Sequence, residues 1–392
     1  MSESHSPGKL ITPSLVIARL ATWPIGSITG LLLIDIGQTF NQSVAIMGQI
    51  RTIGSLVGVV FALLLGVLSV KYNHKTLLVT GLLLVAVSAL GCWVSPSFLF
   101  ISLAYPLSEI GTYMVRPMSF SLVGALLPRE KRSSAISWML TGMAIVGILG
   151  GFVINYLNGI GGWRTTFLGF ALPIALAAAL IVHLLIPLPR IDPVSSSTNV
   201  SLFSGFRQVF SNRSATVCLI GQTISMATWG GILTYTSSFW RQVFGTSIGT
   251  VVLIQVGSGL AYIAGNLFTG KFANKYGSKK LSVVALLVGG IALALWIYLK
   301  VFWMAVVIGW VIIIFGGIRA TAINSLTLEQ IPSARGTLMS LNGAAQSLGT
   351  AIGAAVGGYF LISHGYTGLF LAYSVLFILG GLVISLLADE GA

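Results

Sequence analysis

Charged residues are scarce in this sequence, and acidic residues are the scarcest of them. Only 7% of the 392 residues are charged, and eight of these are Asp or Glu. Soluble domains carry about 25% charged residues. A soluble chain with 55% hydrophobic residues would expose large apolar patches and aggregate. The composition therefore excludes an ordinary soluble protein and predicts an integral membrane protein.

Cysteine and histidine are also rare. Cys92 and Cys218 lie far apart inside apolar runs, which indicates small buried side chains rather than a disulfide framework. The four histidines are scattered, and the sequence shows no spacing typical of a metal site or a catalytic triad. Residues 265–272 resemble a phosphate-binding loop, but Phe272 stands where that loop needs Ser or Thr. We therefore predict that the protein is not an enzyme, holds no metal and needs no cofactor beyond an ion gradient.

The basic residues give the chain a net charge of +13. They lie mostly in short breaks between apolar runs, which is typical of membrane topology and not of nucleic-acid binding. With the N-terminus inside, fourteen fall on the inner side, three on the outer side and four within apolar runs. Since Lys and Arg concentrate on the cytoplasmic side, we predict a multi-pass protein of the cell membrane with both termini cytoplasmic.

Twelve apolar runs approach or exceed the length of about 20 residues that crosses a bilayer. These predicted spans are residues 13–35, 43–70, 76–95, 98–126, 134–157, 164–187, 214–239, 247–273, 280–299, 302–328, 335–362 and 367–388. The longest polar break follows the sixth span. We therefore predict an N-terminal six-helix half (1–189), a cytoplasmic linker (190–212) and a C-terminal six-helix half (213–392). Within the linker, residues 201–210 predict a short amphipathic helix on the membrane surface.

The two halves are repeats of one another. An offset of 204 residues aligns Lys71 with Lys275. An offset of 203 aligns Arg116 with Arg319. Because six spans make up each half, the halves have the same orientation and form parallel pseudo-repeats.

The loops after the second and eighth spans resemble those of the major facilitator superfamily of secondary transporters. That family has G-x-x-x-D-x-x-G-[RK]-[RK] in both places. The residues that match it here are Gly66, Lys71, Lys75, Gly270, Lys275, Gly277, Lys279 and Lys280. The acid is absent from both copies, where Val70 and Asn274 stand. In the family this acid helps to latch the cytoplasmic gate, so the resemblance implies gate loops with a weaker or different latch.

Further residues carry the same resemblance. The fifth span has the family's glycine pattern, at positions 142, 147, 150 and 151, and Gly161–Arg164 opens the sixth span. The chain departs from the pattern at Ile148, where family antiporters usually have proline, and at Tyr105 and Glu109, where the family has arginine and glycine. The resemblance implies twelve transmembrane helices, alternating access, a small-molecule substrate, and a cavity lined by helices 1, 4, 7 and 10. We expect a monomer in the lipid bilayer.

Glu109 is the one acid deep inside a predicted span. Arg116 follows seven residues later, two helical turns on, so both side chains lie on one face of a helix. Ionisable groups in a membrane usually face a cavity or a partner. A cavity favours the protonated carboxyl, and a nearby guanidinium favours the carboxylate. We predict that Glu109 is the proton-coupling residue, with a static Glu–Arg brace as the alternative.

Other polar residues of the spans are candidates for the substrate cavity. Three of the four arginines within spans lie on predicted cavity helices, and Arg51 does not. The predicted cavity residues are Arg19, Trp23, Thr112, Tyr113, Arg116, Gln222, Ser225, Trp229 and Arg319. The alternative for Arg19 and Arg319 is extension of the side chain toward the membrane surface. For the aromatic residues it is ordinary packing.

Together these features predict a proton-coupled transporter that exports a small organic compound. An organic-anion uniporter, antiporter or symporter is the alternative within transport, because arginines suit carboxylate and phosphate groups. A non-transporting membrane sensor is the alternative from another class.

Overall fold

The protein is all-helical in a computed structural model that describes residues 8–188, 202–331 and 335–390. Within these residues no strand is present, and ten helical stretches are long and apolar enough to cross a membrane. Two of the ten, Glu130–Leu185 and Thr337–Leu387, each contain two predicted spans. The prediction of an all-α membrane fold with twelve spans is therefore confirmed.

The described part of the first half contains nine α-helices. They are α1 (Gly8–Leu20), α2 (Pro24–Leu31), α3 (Leu33–Thr39), α4 (Val44–Lys71), α5 (His74–Val94), α6 (Phe98–Ala104), α7 (Pro106–Leu126), α8 (Arg129–Thr166) and α9 (Leu172–Leu185). A π-helix, Phe167–Ala171, connects α8 directly to α9.

The described part of the second half contains six α-helices. They are α10 (Leu202–Ser211), α11 (Arg213–Val243), α12 (Ile248–Tyr276), α13 (Ser278–Trp296), α14 (Phe302–Gln330) and α15 (Arg335–Leu387). Helix α10 occupies the segment predicted to be an amphipathic helix. The remainder of the predicted linker lies largely outside the described residues, and the position of α10 on a membrane surface stays a prediction.

Two glycines divide the longest helices into separate spans. Gly162 has φ 74° and Gly365 has φ 63°, and both interrupt otherwise helical backbone. Residues with a Cβ rarely adopt this left-handed region, so glycine suits these turns. Both breaks fall between predicted spans, at residues 158–163 and 363–366. The first separates the fifth span, in α8, from the sixth, which the end of α8 begins and α9 completes, and the second divides α15 into two spans.

The first and fourth predicted spans are interrupted, which the sequence prediction did not include. Pro24 begins α2 and Pro106 begins α7. Proline lacks the backbone N–H that a continuous helix needs, but it fits the first turn of a new helix. At the second break, the Ser108 hydroxyl donates to the Tyr105 carbonyl at 2.7 Å. Each break therefore brings a helix end inside a membrane span.

Contacts divide the described chain into two compact units. The first contains residues 8–43 and 60–188, and the second contains residues 44–59, 202–331 and 335–390. The units follow the predicted halves except for residues 44–59, the beginning of α4. The predicted domain boundaries stay a prediction.

Helix α5 packs against α7 and α9 in the first unit. The approach to α7 is close, because a Cβ on Gly111 would overlap the Gly81 carbonyl. Leu78, Leu82 and Val115 are among the fully buried side chains of this core. The α5–α7 contact fixes α7, which carries Glu109 and Arg116.

Helix α11 packs along α15 in the second unit. A Cβ on Gly353 would overlap the backbone of Ala227, so the two helices touch main chain to main chain. The Tyr235 hydroxyl donates to the Ala354 carbonyl at 2.8 Å. Small residues allow such close approach between membrane helices. This contact fixes α11, which carries the polar stripe predicted for the cavity.

Candidate functional site

Arg319 is the centre of a polar cluster in the second unit. It lies within the unbroken helix α14, and its side chain is 2% exposed. Nη1 donates to the Ser225 hydroxyl oxygen at 2.9 Å, and Nη2 contacts the Met226 sulfur at 3.6 Å. The guanidinium carbon lies 5.6 Å from the centroid of the Trp229 ring, within the range of a cation–π interaction. The structure thus brings together three predicted site residues from α11 and α14.

Gln222 lies one turn before Ser225 on α11 and is also buried, with 1% of its side chain exposed. The Ser225 hydroxyl donates to the Gln222 backbone carbonyl at 3.0 Å. Gln222 Oε1 and Arg319 Nε are both buried and have no hydrogen-bond partner among the described residues. The cluster is therefore cationic and incompletely hydrogen-bonded.

Tyr262 of α12 completes the cluster and was missed in the sequence. Its ring stacks on Trp229, with centroids 5.3 Å apart and an interplanar angle of 28°. A Cβ on Gly316 would overlap the other edge of the Trp229 ring, so this glycine makes room for it. The eighth span was not expected to line a cavity. A possible signal was the spacing of Tyr262 and Asn266, two polar residues one turn apart.

Arg19 is the buried arginine of the first unit. It lies in the last turn of α1 and is 5% exposed. Its guanidinium carbon lies 5.7 Å from the centroid of the Phe120 ring, and Nε has no hydrogen-bond partner among the described residues. The positive charge of Arg116 acts on it electrostatically. Two cations therefore share this region of the first unit, an arrangement that is costly in a membrane.

Glu109 lies in the first turn of α7 and is half-buried. The buried Tyr105 hydroxyl donates to Glu109 Oε1 at 3.2 Å. The N-terminal end of a helix favours a carboxylate through the helix dipole. Here Pro106 has no N–H, and the Ser108 N–H donates to the Tyr105 carbonyl at 2.9 Å, so the dipole and not a free N–H group acts on Glu109. Thr112 and Tyr113, on the next turn, are also half-buried. The structure thus supplies a helix terminus at the predicted proton-coupling residue.

Trp23 packs against a glycine of α8 in the first unit. It lies in the break between α1 and α2, and a Cβ on Gly150 of α8 would overlap its ring. The neighbouring Thr22 hydroxyl donates to the Arg19 carbonyl at 2.8 Å. The contacts of Trp23 are those of packing, and its predicted place in a substrate cavity stays a prediction.

The first predicted gate loop has one residue with a defined contact. Lys75 Nζ donates to the His183 carbonyl at 2.7 Å, in the last turn of α9. A lysine at a helix C-terminus satisfies a free carbonyl and complements the helix dipole. The surroundings of Gly66 and of the Lys71 side chain lie outside what the structure describes. Lys75 therefore connects the beginning of α5 to the end of α9.

In the second predicted gate loop, one residue contacts an acidic side chain from another helix of the same unit. Gly277, with φ 79°, joins α12 to α13, and the next residue, Ser278, donates to Glu329 Oε1 at 3.0 Å. Among the basic residues of this loop, Lys275 and Lys280 are exposed and Lys279 is half-buried. Gly270 lies outside the described side chains. Glu329, at the end of α14, supplies the negative charge that the loop sequence lacks.

Over the described ranges, no three His, Cys, Asp or Glu side chains come together in a group that could hold a metal ion. Cys92 and Cys218 are both buried free cysteines. The candidate functional groups in the described residues are therefore Glu109 and Arg19 in the first unit and the Arg319 cluster in the second.

A family model, a bacterial relative and two solved structures match most of this chain. The family model of the Major Facilitator Superfamily matches residues 15–258 and 218–391. The chain is 25% identical over 363 residues to the "Uncharacterized MFS-type transporter YceJ" of Bacillus subtilis (strain 168), covering 90% of each chain. Among solved structures, a bacterial homolog of the human lysosomal transporter Spinster gives a TM-score of 0.80 at 16% identity, covering 97% of both chains. A D-xylose-proton symporter gives 0.77 at 16% identity, covering 97% of this chain and 98% of the other.

Proposed function

Because the chain belongs to the major facilitator superfamily, we propose that it exports a small organic compound by alternating access, driven by the proton gradient. That it is a multi-pass membrane transporter and not an enzyme follows from the family and from its relatives. The direction of transport, the coupling to protons, the cell membrane, the cytoplasmic termini and the monomeric state belong to the proposal. The proposed transport uses the energy of the proton gradient and requires no cofactor.

The position of Glu109 is the observation that supports proton coupling. The carboxyl group lies inside a membrane span, half-buried, at the first turn of α7. An acid is expensive at this depth, so a functional role is the default interpretation. The helix terminus and the Tyr105 hydroxyl favour the charged form, whereas the membrane environment favours the neutral form. A carboxyl group with such opposed influences can change protonation state when its surroundings change.

Alternating access supplies that change of surroundings. When the site opens to the more acidic side, Glu109 takes up a proton and becomes neutral. When it opens to the other side, the proton leaves and the carboxylate returns. Arg116, two helical turns away on α7, then again has a negatively charged side chain on its own helix. Uptake and release on opposite sides couple the proton gradient to the conformational cycle.

The test is gradient-driven flux in liposomes. Purified protein is reconstituted, a pH gradient is imposed, and a trapped pH-sensitive dye reports proton movement on addition of each member of a panel of organic acids, bases and neutral compounds. We expect at least one compound to elicit proton flux in the wild type and Glu109→Gln to abolish that response. Glu130→Gln is the matched control, because Glu130 is an exposed acid at the start of α8. Unchanged flux in Glu109→Gln would contradict the coupling role.

A further inference from the structure

In the part of the chain that the structure describes, one edge of the Arg319 guanidinium has no oxygen atom as a hydrogen-bond partner. Nη1 bonds the Ser225 hydroxyl, Nη2 faces the Met226 sulfur, and Nε has no partner among the described residues. A thioether is a weak acceptor. The Nε–Nη2 edge can form two parallel hydrogen bonds to the two oxygens of a carboxylate. The Nε–Nη2 edge, the strongest donor edge of the cluster, therefore contacts only the Met226 sulfur, which is a poor acceptor.

Within the described residues of the second unit, no hydrogen-bond partner of Arg319 carries a negative charge that would compensate its own. Its two hydrogen bonds in the described part of the chain go to a hydroxyl and a thioether, and neither partner carries a negative charge. Desolvating a cation is costly unless an anion and further hydrogen bonds offset the cost. The Trp229 ring offsets part of it through its electron-rich face. The site lacks one negative charge, which a ligand can supply.

The arrangement allows such a ligand to enter. Met226, Trp229 and Tyr262 are each half-buried, so the cluster borders accessible space on their side. Methionine is unbranched and flexible, so its sulfur can leave the guanidinium without disturbing the helix. Gln222 Oε1, buried and unpaired, is a free acceptor one turn before Ser225. It complements a hydrogen-bond donor on the ligand.

We propose that the transported compound is a small organic carboxylate that binds Arg319 side-on, through Nε and Nη2, in place of the Met226 sulfur. A hydroxyl group of the same molecule donates to Gln222 Oε1, which makes a hydroxy acid the preferred substrate. This inference rests on the proposed transport function and adds the substrate class. Ser225 holds Nη1 and so positions the guanidinium.

Two trios of compounds test the substrate class by thermal unfolding of the purified full-length protein in detergent. One is lactate, propionate and lactamide, and the other is mandelate, phenylacetate and mandelamide. The members of each trio differ only in the carboxylate or the hydroxyl group. We expect the carboxylates to raise the unfolding temperature, the hydroxy acid more than the plain acid, and the amides to leave it unchanged. Equal stabilisation by an amide, or no effect from any member, would overturn the proposal.

Variants of Arg319 test the site. In Arg319→Met we expect the carboxylate effect to disappear while the stability without ligand stays equal or rises, because an unpaired buried charge is replaced by an apolar side chain. Arg319→Lys keeps the charge but loses the Nε–Nη2 edge, so affinity should fall about tenfold or more. Met226→Leu should keep the response, and Lys300→Gln, which removes an exposed cation of the same unit, should also keep it. Retained carboxylate binding in Arg319→Met would refute the site.

Gln222→Leu provides a test that does not alter the arginine. It should keep the response to propionate and phenylacetate and remove the advantage of the hydroxy acids. An advantage that survives in Gln222→Leu would show that the hydroxyl group binds elsewhere and would overturn this part of the proposal.

The flux measurement separates this inference from the proposed function. Glu109-dependent proton flux with neutral or cationic compounds alone would mean that the transport proposal is right and the carboxylate proposal wrong. Carboxylate binding that requires Arg319, without flux of any compound, would mean that the carboxylate proposal is right and the transport proposal wrong.

Discussion

Arg116 and Arg319 occupy equivalent positions in the two repeats, yet their environments differ. Arg116 is exposed on α7, whereas Arg319 is 2% exposed on α14. Pro117 follows Arg116, and Ala320 follows Arg319. A proline inside a helix removes a backbone hydrogen bond and tends to bend the helix, whereas alanine continues it. The same repeat position therefore lies beside an irregular point in the first unit and in an unbroken helix in the second.

The two repeats also differ at the position of Glu109. The offset that aligns the two arginines places Glu109 opposite Ile312, which is 2% exposed. Glu109 begins a helix after the break at Pro106, and α14 has no break at the corresponding point. A helix terminus accommodates an ionisable group, and the middle of a membrane helix favours an apolar one. On the two proposals above, the first unit carries the proton chemistry and the second carries the substrate recognition.

The largest expected effect concerns how tightly each unit is packed. In the second unit, Gly353→Ala places a methyl group against the Ala227 backbone. In the first unit, Gly150→Ala meets the Trp23 side chain. A backbone cannot move aside locally, whereas an aromatic side chain can shift. We expect Gly353→Ala to lower the free energy of unfolding by about 3 kcal/mol and Gly150→Ala by about 1 kcal/mol.

Denaturant unfolding in detergent measures both values. Gly343→Ala is the matched control, because a Cβ at Gly343 has no neighbour within 4 Å. The comparison between the units would fail if Gly150→Ala proved as damaging as Gly353→Ala.

The twelve-span fold was predictable because a bilayer requires long apolar runs and pairs every backbone group within a helix. The helix breaks at Pro24 and Pro106 were not, because hydropathy averages over about 20 residues and hides a single proline. Their position matters, since the second break places Glu109 at a helix end. A proline inside an apolar run was the signal that the prediction did not use.

The Arg319 cluster was predictable in part. Helical spacing grouped Gln222, Ser225 and Trp229 on one stripe, because residues three and four apart share a helix face. The contacts of that stripe across to other helices depend on packing between distant segments, which no local pattern contains. Met226 and Tyr262 were missed for that reason, since an apolar and an aromatic residue in a span first indicate packing.

A second prediction compares the hydrogen bonds of the two ionisable groups. Ser225→Ala leaves Nη1 of the buried Arg319 unpaired, which should cost about 1.5–3 kcal/mol in the free energy of unfolding. Tyr105→Phe removes the bond to the half-buried Glu109 and should cost about 0.5–1.5 kcal/mol. Thermal and denaturant unfolding measure the difference. A larger loss for Tyr105→Phe would show that the carboxyl group of the first unit depends more on its hydrogen bond than the guanidinium of the second unit does.

The smallest expected effect lies in the predicted gate loops, where an offset of 204 aligns Lys75 with Lys279. Lys75 donates to the His183 carbonyl at 2.7 Å, and Lys279 has no hydrogen bond within the described residues. Lys75→Gln should lower the free energy of unfolding by about 0.3–1 kcal/mol, because it removes a cation from a helix C-terminus. Lys279→Gln should change it less. If Lys75→Gln instead leaves stability unchanged and alters only the transport rate, Lys75 is part of a gate and not of a helix-to-helix connection.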